Sequence, residues 1–206
     1  MKDDRIKKIT PLAETKFLNL FDAEYKNKKH QEKHWIIASR KDYKTLQEQF
    51  FQGKEETTDA VVIAALHEPT KSLVVIRQFR IPLNDYVYEL PAGLVDNNES
   101  MEKSTDRELK EETGLILDKI NYVKSKIGVY ASSGMTDESM ALVYCICHGE
   151  ISSEFLEDDE DIEAILVWKE KAEELLKKDV KMDIKLYMIL QSFASLGEKL
   201  WGDDYV

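Results

Sequence analysis

Three glutamates that stand close together in a predicted helix are the residues of this sequence best suited to chemistry. Glu108, Glu111 and Glu112 are spaced by three and four residues, so their carboxylates lie on one helix face or at its edge. Like charges at this spacing cost a helix roughly 0.2–0.5 kcal/mol per pair. A hard divalent cation such as Mg²⁺ reverses that cost, because it prefers oxygen ligands. The pattern favours a metal site, and the simpler alternative is a solvated acidic face.

The helix that must position these carboxylates is predicted from about Glu99 to Thr113. Strong helix formers fill this stretch, Asn98 or Ser100 is a suitable N-cap, and Gly114 is suited to end the helix. An apolar, strand-like run precedes it and leads into a glycine-containing loop. The expected local structure is therefore strand, loop and glutamate-bearing helix.

The residues around the glutamates follow a fixed spacing. Gly93 is followed after five residues by Glu99 and, after seven more, by the run Arg107-Glu108-Leu109-x-Glu111-Glu112-x-Gly114-Leu115. This pattern resembles the signature of the Nudix hydrolase family at every defined position, and the resemblance extends from about Thr57 to the end of the chain. In that family the helix glutamates hold Mg²⁺ against a nucleoside diphosphate linked to another group, and water cleaves the diphosphate.

The resemblance implies a role for each residue of the signature. Glu108, Glu111, Glu112 and the main-chain carbonyl of Ala92 would be the metal ligands, with Mn²⁺ as an alternative to Mg²⁺. Gly93 beside Ala92 would let the backbone come close. Arg107 would brace the glycine loop and the acidic residues, and its position next to Glu108 in the sequence points it to a different helix face. Together with Glu111, it is a candidate catalytic residue.

Further motifs resemble the ADP-ribose pyrophosphatase branch of the family. They are the runs Glu89-Leu-Pro-Ala-Gly-Leu-Val-Asp, Arg77-Gln-Phe-Arg-Ile-Pro and Gly134-Met-Thr-Asp-Glu, and Trp35 with Arg40 five residues later. In that branch an N-terminal ribbon crosses to the partner subunit, which implies a homodimer. The branch often has proline before the glycine of the late loop, whereas Ser132-Ser133-Gly134 stands here. This departure concerns the shape of the loop and hence the sugar specificity.

The branch also supplies candidates for substrate binding. Trp35 and Phe17 would sandwich the adenine, and Arg40 and Arg80 would grip the phosphates, with Glu89 as a further candidate. Flat aromatic rings stack on bases and arginine forks match phosphate oxygens, so the residue types suit these roles. The simpler reading of both aromatics is packing within the ribbon, and for Phe17 that reading is favoured.

The proton acceptor for the attacking water is expected on a mobile acidic loop, Asp158-Asp159-Glu160-Asp161-Ile162-Glu163. In the resembling branch a glutamate that matches Glu160 acts as base or metal ligand. Asp158 is the second choice. A charge run of this kind is also typical of a solvated loop, and the position of Glu160 just before a strand-like run is what favours a role.

The order of predicted elements indicates an α/β protein, an α/β/α sandwich with a mixed sheet preceded by a small N-terminal β-ribbon. We expect residues 1–54 to form the ribbon region and to dimerise, and residues 55–206 to form the Nudix domain. The ribbon strands are predicted at 16–21 and 34–40. Later strands are predicted at 60–66, 73–79, 86–90, 120–123, 126–130 and 140–147, a strand-like run at 162–168, and two closing helices at 169–178 and 183–200.

Composition limits the setting and the partners. The 206 residues are 43% hydrophobic and 33% charged, with a formal net charge of −11. The negative charge disfavours nucleic acid or an anionic membrane as the main partner. No apolar run reaches the about 18 residues of a membrane helix. Cys145 and Cys147 are two positions apart in an apolar strand, so both face the same side, as core residues do. These features predict a cytoplasmic protein.

The leading hypothesis is a Mg²⁺-dependent hydrolase that converts ADP-ribose to AMP and ribose 5-phosphate. An alternative is the same reaction on another nucleoside diphosphate sugar, such as a UDP- or GDP-linked one. A second alternative, from a different class, is a non-catalytic sensor that binds ADP-ribose and signals to a partner. A sensor would be expected to lose a helix carboxylate, and this sequence keeps all three.

Overall fold

The computed structural model of the protein describes residues 5–96 and 98–202, which form two compact units. The first unit contains the residues up to Thr58 together with Tyr130–Ser139, and the second contains Asp59–Val129 and the chain from Met140 onward. The predicted division into residues 1–54 and 55–206 stays a prediction. The structure groups a later segment, Tyr130–Ser139, with the N-terminal residues.

The N-terminal unit contains an antiparallel sheet of three strands in the order β1-β2-β3. The strands are β1 (Ile6–Ala13), β2 (Asn19–Lys26) and β3 (Glu32–Ser39), and helix α1 (Tyr43–Phe51) follows them. Ile9, Phe21, Ala23 and Leu46 are buried together and form the core of this unit.

The predicted two-stranded ribbon is therefore a three-stranded sheet, and two elements were missed. The pairing of β1 with β2 shifts register between Ile6 and Lys8 and again between Pro11 and Ala13. These irregularities interrupt the two-residue alternation by which a half-buried strand is recognised in a sequence. Helix α1 has only two buried residues, and it begins at the side chain of Asp42, which accepts a hydrogen bond from the amide of Thr45 (2.7 Å).

The second unit is built on an eight-stranded mixed sheet. Its central path is β11-β5-β4-β10-β8, with β6 paired to β5, β7 to β4 and β9 to β10; β4 and β10 are parallel. The strands are β4 (Ala60–His67), β5 (Ser72–Arg80), β6 (Asp85–Glu89), β7 (Ala92–Leu94), β8 (Ile116–Ile120), β9 (Lys126–Tyr130), β10 (Ser139–His148) and β11 (Ile162–Val167), and the helices are α2 (Met101–Thr113), α3 (Lys169–Leu175) and α4 (Ile184–Leu196), with a 3-10 helix at Gly197–Trp201.

Helices cover both faces of this sheet. Strand β4 is buried along its whole length, and its alternate residues face opposite ways. Val61 and Ile63 pack in one core with Leu109 of α2, whereas Val62 and Ala64 pack in the other core with α3 and α4. The predicted α/β/α sandwich with a mixed sheet is confirmed.

The ribbon strands predicted at 16–21 and 34–40 correspond to β2 and β3, with shifted bounds. In the second unit the observed elements lie close to their predicted positions, with two exceptions. Gly93 and Leu94 were expected in the glycine-containing loop and belong to strand β7. A strand was predicted at 120–123, but β8 ends at Ile120 because Asn121 turns the chain. The side chain of Asn121 accepts a hydrogen bond from the amide of Lys124 (3.1 Å) and donates one to the carbonyl of Trp201 (2.7 Å). Among the described residues, no helix has both the length and the apolar character needed to cross a bilayer.

The two cysteines lie buried in β10 as free thiols, as expected of core residues. Burial raises the pKa of the Cys147 thiol to about 12. Since the thiolate is the reactive form of cysteine, neither residue is suited to nucleophilic chemistry.

Candidate active site

The glutamate helix begins and ends where its sequence indicated. Ser100 is the N-cap, with its side chain accepting from the amide of Lys103, and Gly114 follows the last turn in the left-handed conformation (φ +74°). A Cβ at Gly114 would lie 2.7 Å from the backbone nitrogen of Ser152, so a larger residue there would be obstructed as well as strained. Helix α2 is thereby fixed at both ends, and its glutamates are placed against strand β7.

Two of the three helix glutamates pack directly against the backbone of β7. The amide of Ala92 donates to Oε2 of Glu112 (2.9 Å). At Gly93, an added Cβ would lie 2.0 Å from the carboxyl carbon of Glu108. The close approach of Glu108 therefore requires a glycine at position 93. At Ala92 and Gly93 the backbone of β7 contacts Glu112 and Glu108, two of the glutamates in the signature.

Arg107 links the acidic residues to the glycine loop. Its Nη1 donates to Oε1 of Glu108 (2.7 Å) and to Oε2 of Glu111 (3.0 Å). Its Nη2 donates to Oε2 of Glu99 and to the carbonyl of Leu94, both at 2.9 Å. The expectation that Arg107 points to a different face from Glu108 is wrong, because the long side chain curves back and places its guanidinium among three carboxylates.

Glu99 is the most strongly stabilised anion of this network. Hydrogen bonds from Arg107 and from the buried hydroxyl of Ser104 (2.7 Å) hold the pKa of Glu99 at about 2. Ser104 was missed in the sequence. Its only signal there was a small polar residue on the helix, five positions after Glu99.

Glu108 and Glu112 are in the opposite electrostatic condition. They are 8% and 4% exposed, and burial raises the pKa of Glu108 and raises that of Glu112 well above its ordinary value. The negative charge of Glu160 raises both pKa values further, and strand β11, which follows the acidic loop, contacts α2. Buried carboxylates whose negative charges repel one another need a positive charge nearby to remain ionised.

The donor set fits a hard divalent cation by its chemistry. It consists of carboxylate oxygens, which such a cation prefers as ligands, and the added positive charge would offset the cost of burying Glu108 and Glu112. Among the described residues, no group of three or more His, Cys, Asp or Glu side chains is already arranged to hold a metal ion. The contacts give the reason, since Arg107 engages Glu108 and Glu111 while the amide of Ala92 engages Glu112.

Arg80 and Glu89, both predicted to bind substrate, are joined to each other. Nε and Nη2 of Arg80 donate to the two carboxylate oxygens of Glu89 at 2.6 and 2.8 Å. This bidentate pair fixes the plane of the guanidinium. The bond to Glu89 is the main reason that the pKa of Arg80 is raised, and the charge of Glu112 contributes, so the pair lies near the helix glutamates.

The remaining predicted site residues belong to the N-terminal unit. Nε1 of Trp35 donates to the carbonyl of Gly134 (3.0 Å), and Nε of Arg40 donates to Oε1 of Glu138 (2.5 Å). The fold of this unit thus brings Trp35 and Arg40 to the late loop whose motif was recognised separately. Trp35 is 53% exposed and Phe17 is 67% exposed, so each ring presents free surface.

The NUDIX domain family matches residues 56–188, well over half of the chain. The chain belongs to the Nudix family. The resemblance drawn from the spacing of the signature is thereby confirmed, and Nudix hydrolases generally depend on a divalent metal ion.

Individual Nudix proteins resemble the chain over much of its length. It is 36% identical over 120 residues to putative nudix hydrolase 2 of Caenorhabditis elegans, covering 55% of this chain and 53% of that protein. It is 31% identical over 145 residues to an ADP-ribose pyrophosphatase of Bacillus subtilis (strain 168), covering 68% and 74%. The chain therefore spans about half the length of the first relative and about three quarters of the second.

A solved structure shows the same fold. The crystal structure of an ADP compounds hydrolase matches this Nudix chain with a TM-score of 0.61 and 17% identity, covering 94% of this chain and 98% of that one. At this level of identity the match establishes the architecture.

Two cavities in the described part of this Nudix protein lie away from the signature. One, of about 490 Å³, is lined by Arg77, Asp85, Tyr86, Tyr88 and residues 179–181 of the second unit. The other, of about 180 Å³, lies in the N-terminal unit beside Lys41 and Asp137. None of the predicted site residues lines either of these two cavities.

Proposed function

We propose that the protein hydrolyses ADP-ribose to AMP and ribose 5-phosphate, with Mg²⁺ as the natural metal and Mn²⁺ as a substitute. The observation that carries this proposal is the burial of Glu108 and Glu112 against Ala92 and Gly93, where the nearby charge of Glu160 adds to their own. The name of the Bacillus subtilis relative, an ADP-ribose pyrophosphatase, supports the choice of substrate.

The residues proposed to hold the metal are Glu108, Glu111, Glu112 and the carbonyl of Ala92. When bound, a divalent cation neutralises phosphate oxygens and lowers the pKa of a coordinated water. Arg107 contributes by keeping the carboxylates and the glycine loop in register through its contacts with Glu108, Glu111 and Leu94. This bracing role limits the movement of Glu108 and Glu111 during the reaction.

Glu160 is proposed to receive the proton of the attacking water as the bond between phosphorus and the bridging oxygen breaks. It is half-buried, whereas Asp158 is exposed, and its charge acts on Glu108 and Glu112. We therefore place Glu160 before Asp158 for this role.

Substrate binding is proposed to use arginine side chains and aromatic rings. Arg80 presents a guanidinium whose plane is fixed by Glu89, an arrangement suited to phosphate oxygens. Trp35, anchored to Gly134, would stack on the adenine, with Phe17 on its other side and Arg40 contributing to phosphate binding. A homodimer is proposed from the branch resemblance, and analytical ultracentrifugation tests it.

The function is tested by comparing the turnover of ADP-ribose, UDP-glucose and GDP-mannose with Mg²⁺ present. We expect ADP-ribose to be the best substrate. In Glu112→Gln, kcat should fall roughly 100-fold or more, the scale of losing one electrostatic contact to a transition state. Glu102→Gln on the same helix removes the same charge outside the cluster and should retain activity.

The outcomes separate the candidate functions. Preferred turnover of a UDP- or GDP-linked sugar would replace ADP-ribose as the substrate but keep the chemistry. Binding of ADP-ribose without turnover would favour the sensor. Full activity of Glu112→Gln with metal present would end the catalytic assignment of this helix face.

A further inference from the structure

The acidic run that carries Glu160 belongs to a loop of residues 152–161, which is held to the second unit at both ends. At its start, the amide of Ser152 donates to the carbonyl of Thr113 at the end of α2 (3.0 Å). A little further on, the ammonium of Lys110 lies 4.7 Å from the centre of the Phe155 ring. At its end, the loop enters β11, which contacts α2 and pairs with β5. The loop is therefore fixed to the glutamate helix where it begins and to the β5–β6 hairpin where it ends.

Asp161, the residue immediately after Glu160, makes the second tie. Its carbonyl accepts a hydrogen bond from the amide of Phe79 (3.1 Å), and its Oδ2 accepts one from the hydroxyl of Tyr86 (2.6 Å). Asp161 is thus held by one backbone and one side-chain hydrogen bond. The two donors, Phe79 and Tyr86, are a directly paired position of strands β5 and β6.

The ring of Tyr86 is itself held in place. It packs edge-on against Phe79, with centroids 5.3 Å apart and an interplanar angle of 75°. The guanidinium of Arg77 lies 3.9 Å from its centre, the geometry of a cation–π contact. Two neighbours therefore fix the ring, and only its hydroxyl reaches Asp161.

Glu160 takes its position from this attachment. Among the described contacts, its Oε2 accepts a hydrogen bond from the amide of Glu157 within the same loop (3.0 Å). Its nearness to Glu108 and Glu112 therefore follows from where the loop is attached. The attachment one residue away, at Asp161, is the nearest point at which the hairpin can set the position of the Glu160 carboxylate.

We propose that Tyr86 is a positioning residue whose hydroxyl, acting through Asp161, holds Glu160 opposite the glutamates of α2. This inference rests on the proposed function, in which Glu160 receives the proton of the attacking water. A tyrosine that only stabilised the hairpin would act through its ring, which phenylalanine retains. The hydroxyl therefore separates positioning from simple packing.

The variant Tyr86→Phe removes one oxygen atom and leaves the ring contacts. We expect kcat for ADP-ribose to fall about 10-fold, a part of the roughly 100- to 10,000-fold that a positioned acid or base supplies. KM should change less than about twofold, because the groups proposed to hold the substrate are not altered. Asp161→Ala should cause the same loss, and combining it with Tyr86→Phe should add little. Asp161→Asn keeps an oxygen acceptor for the hydroxyl and should recover most of kcat.

Tyr122→Phe is the matched control. The hydroxyl of Tyr122 also donates to a carboxylate in the same unit, Oε1 of Glu102 (3.1 Å), but neither residue belongs to the acidic loop. Hydrogen–deuterium exchange of peptides covering residues 152–161 provides a measurement that does not depend on activity. Exchange should be faster in Tyr86→Phe and unchanged in Tyr122→Phe.

Faster loop exchange together with a selective fall in kcat supports the inference. An unchanged kcat in Tyr86→Phe, an equal fall in Tyr122→Phe, or a fall in kcat without faster exchange would overturn it and leave the proposed function intact. If the unaltered protein turns over no nucleoside diphosphate sugar, the proposed function fails and this inference fails with it.

Discussion

A methyl group at position 93 is the smallest change that tests the packing of the candidate active site. In Gly93→Ala the new Cβ would lie 2.0 Å from Cδ and Oε1 of Glu108 and 2.2 Å from Oε2. Ordinary van der Waals contact begins at 3.4 Å, so either the carboxylate moves by about 1.4 Å or the backbone of β7 shifts. The clash involves the head of a buried side chain that Arg107 already holds at 2.7 Å.

The size of the effect follows from that displacement. Overpacking of a filled site costs about 1–3 kcal/mol of the free energy of unfolding. Metal–ligand distances hold within about 0.2 Å, so a carboxylate displaced by about 1.4 Å no longer serves as a ligand. A misplacement of about 1 Å can cost about 100-fold in rate. We therefore expect kcat/KM for ADP-ribose to fall roughly 100-fold and the affinity for Mn²⁺ to fall roughly 10- to 100-fold.

The assay combines calorimetric Mn²⁺ titration, thermal unfolding and turnover of ADP-ribose. Gly134→Ala is the control for Mn²⁺ affinity and thermal stability, because a Cβ there meets no atom within 4 Å. We expect it to leave both quantities unchanged, whereas Gly93→Ala should lower the melting temperature by several degrees. Wild-type Mn²⁺ affinity and turnover in Gly93→Ala would refute the reasoning, since they would mean that Glu108 does not depend on this close approach for its function.

Three further predictions concern charge and substrate contacts. Arg107 and Ser104 hold the pKa of Glu99 at about 2 against an ordinary 4.5, so the stability they supply is present in full above pH 4.5 and is lost as the pH falls toward 2. Glu99→Gln should accordingly lower the free energy of unfolding in urea by about 1–2 kcal/mol at pH 7, and a difference that did not shrink below pH 4.5 would contradict this origin. Arg80→Lys should raise KM for ADP-ribose nearly as much as Arg80→Ala, because an ammonium cannot reproduce the bidentate contact with Glu89. A KM near that of the wild type in Arg80→Lys would show that the guanidinium is not needed. Trp35→Ala should raise KM more than it lowers kcat, since stacking stabilises ground and transition states alike, and steady-state kinetics showing the reverse would remove Trp35 from adenine binding.

Local pattern was sufficient for most of the second unit. The all-apolar run of β4, the alternating cysteines of β10 and the caps of α2 are each recorded in consecutive residues, and each element formed where it was predicted. The N-terminal sheet was predicted less well, because β1 is bulged and exposes six of its eight residues. Its strand character depends on pairing with β2 and is not visible in its own sequence.

The sequence by itself determined the glutamate helix, its boundaries and the glycine that allows the backbone of β7 to approach, because helical periodicity and glycine geometry are local properties. Only the tertiary structure decided which groups balance the charges. Arg107 meets the carbonyl of Leu94 across 13 positions of the chain, Tyr86 meets Asp161 across 75, and Trp35 meets Gly134 across 99. Contacts at such separations follow from strand register and loop attachment, which no stretch of consecutive residues specifies.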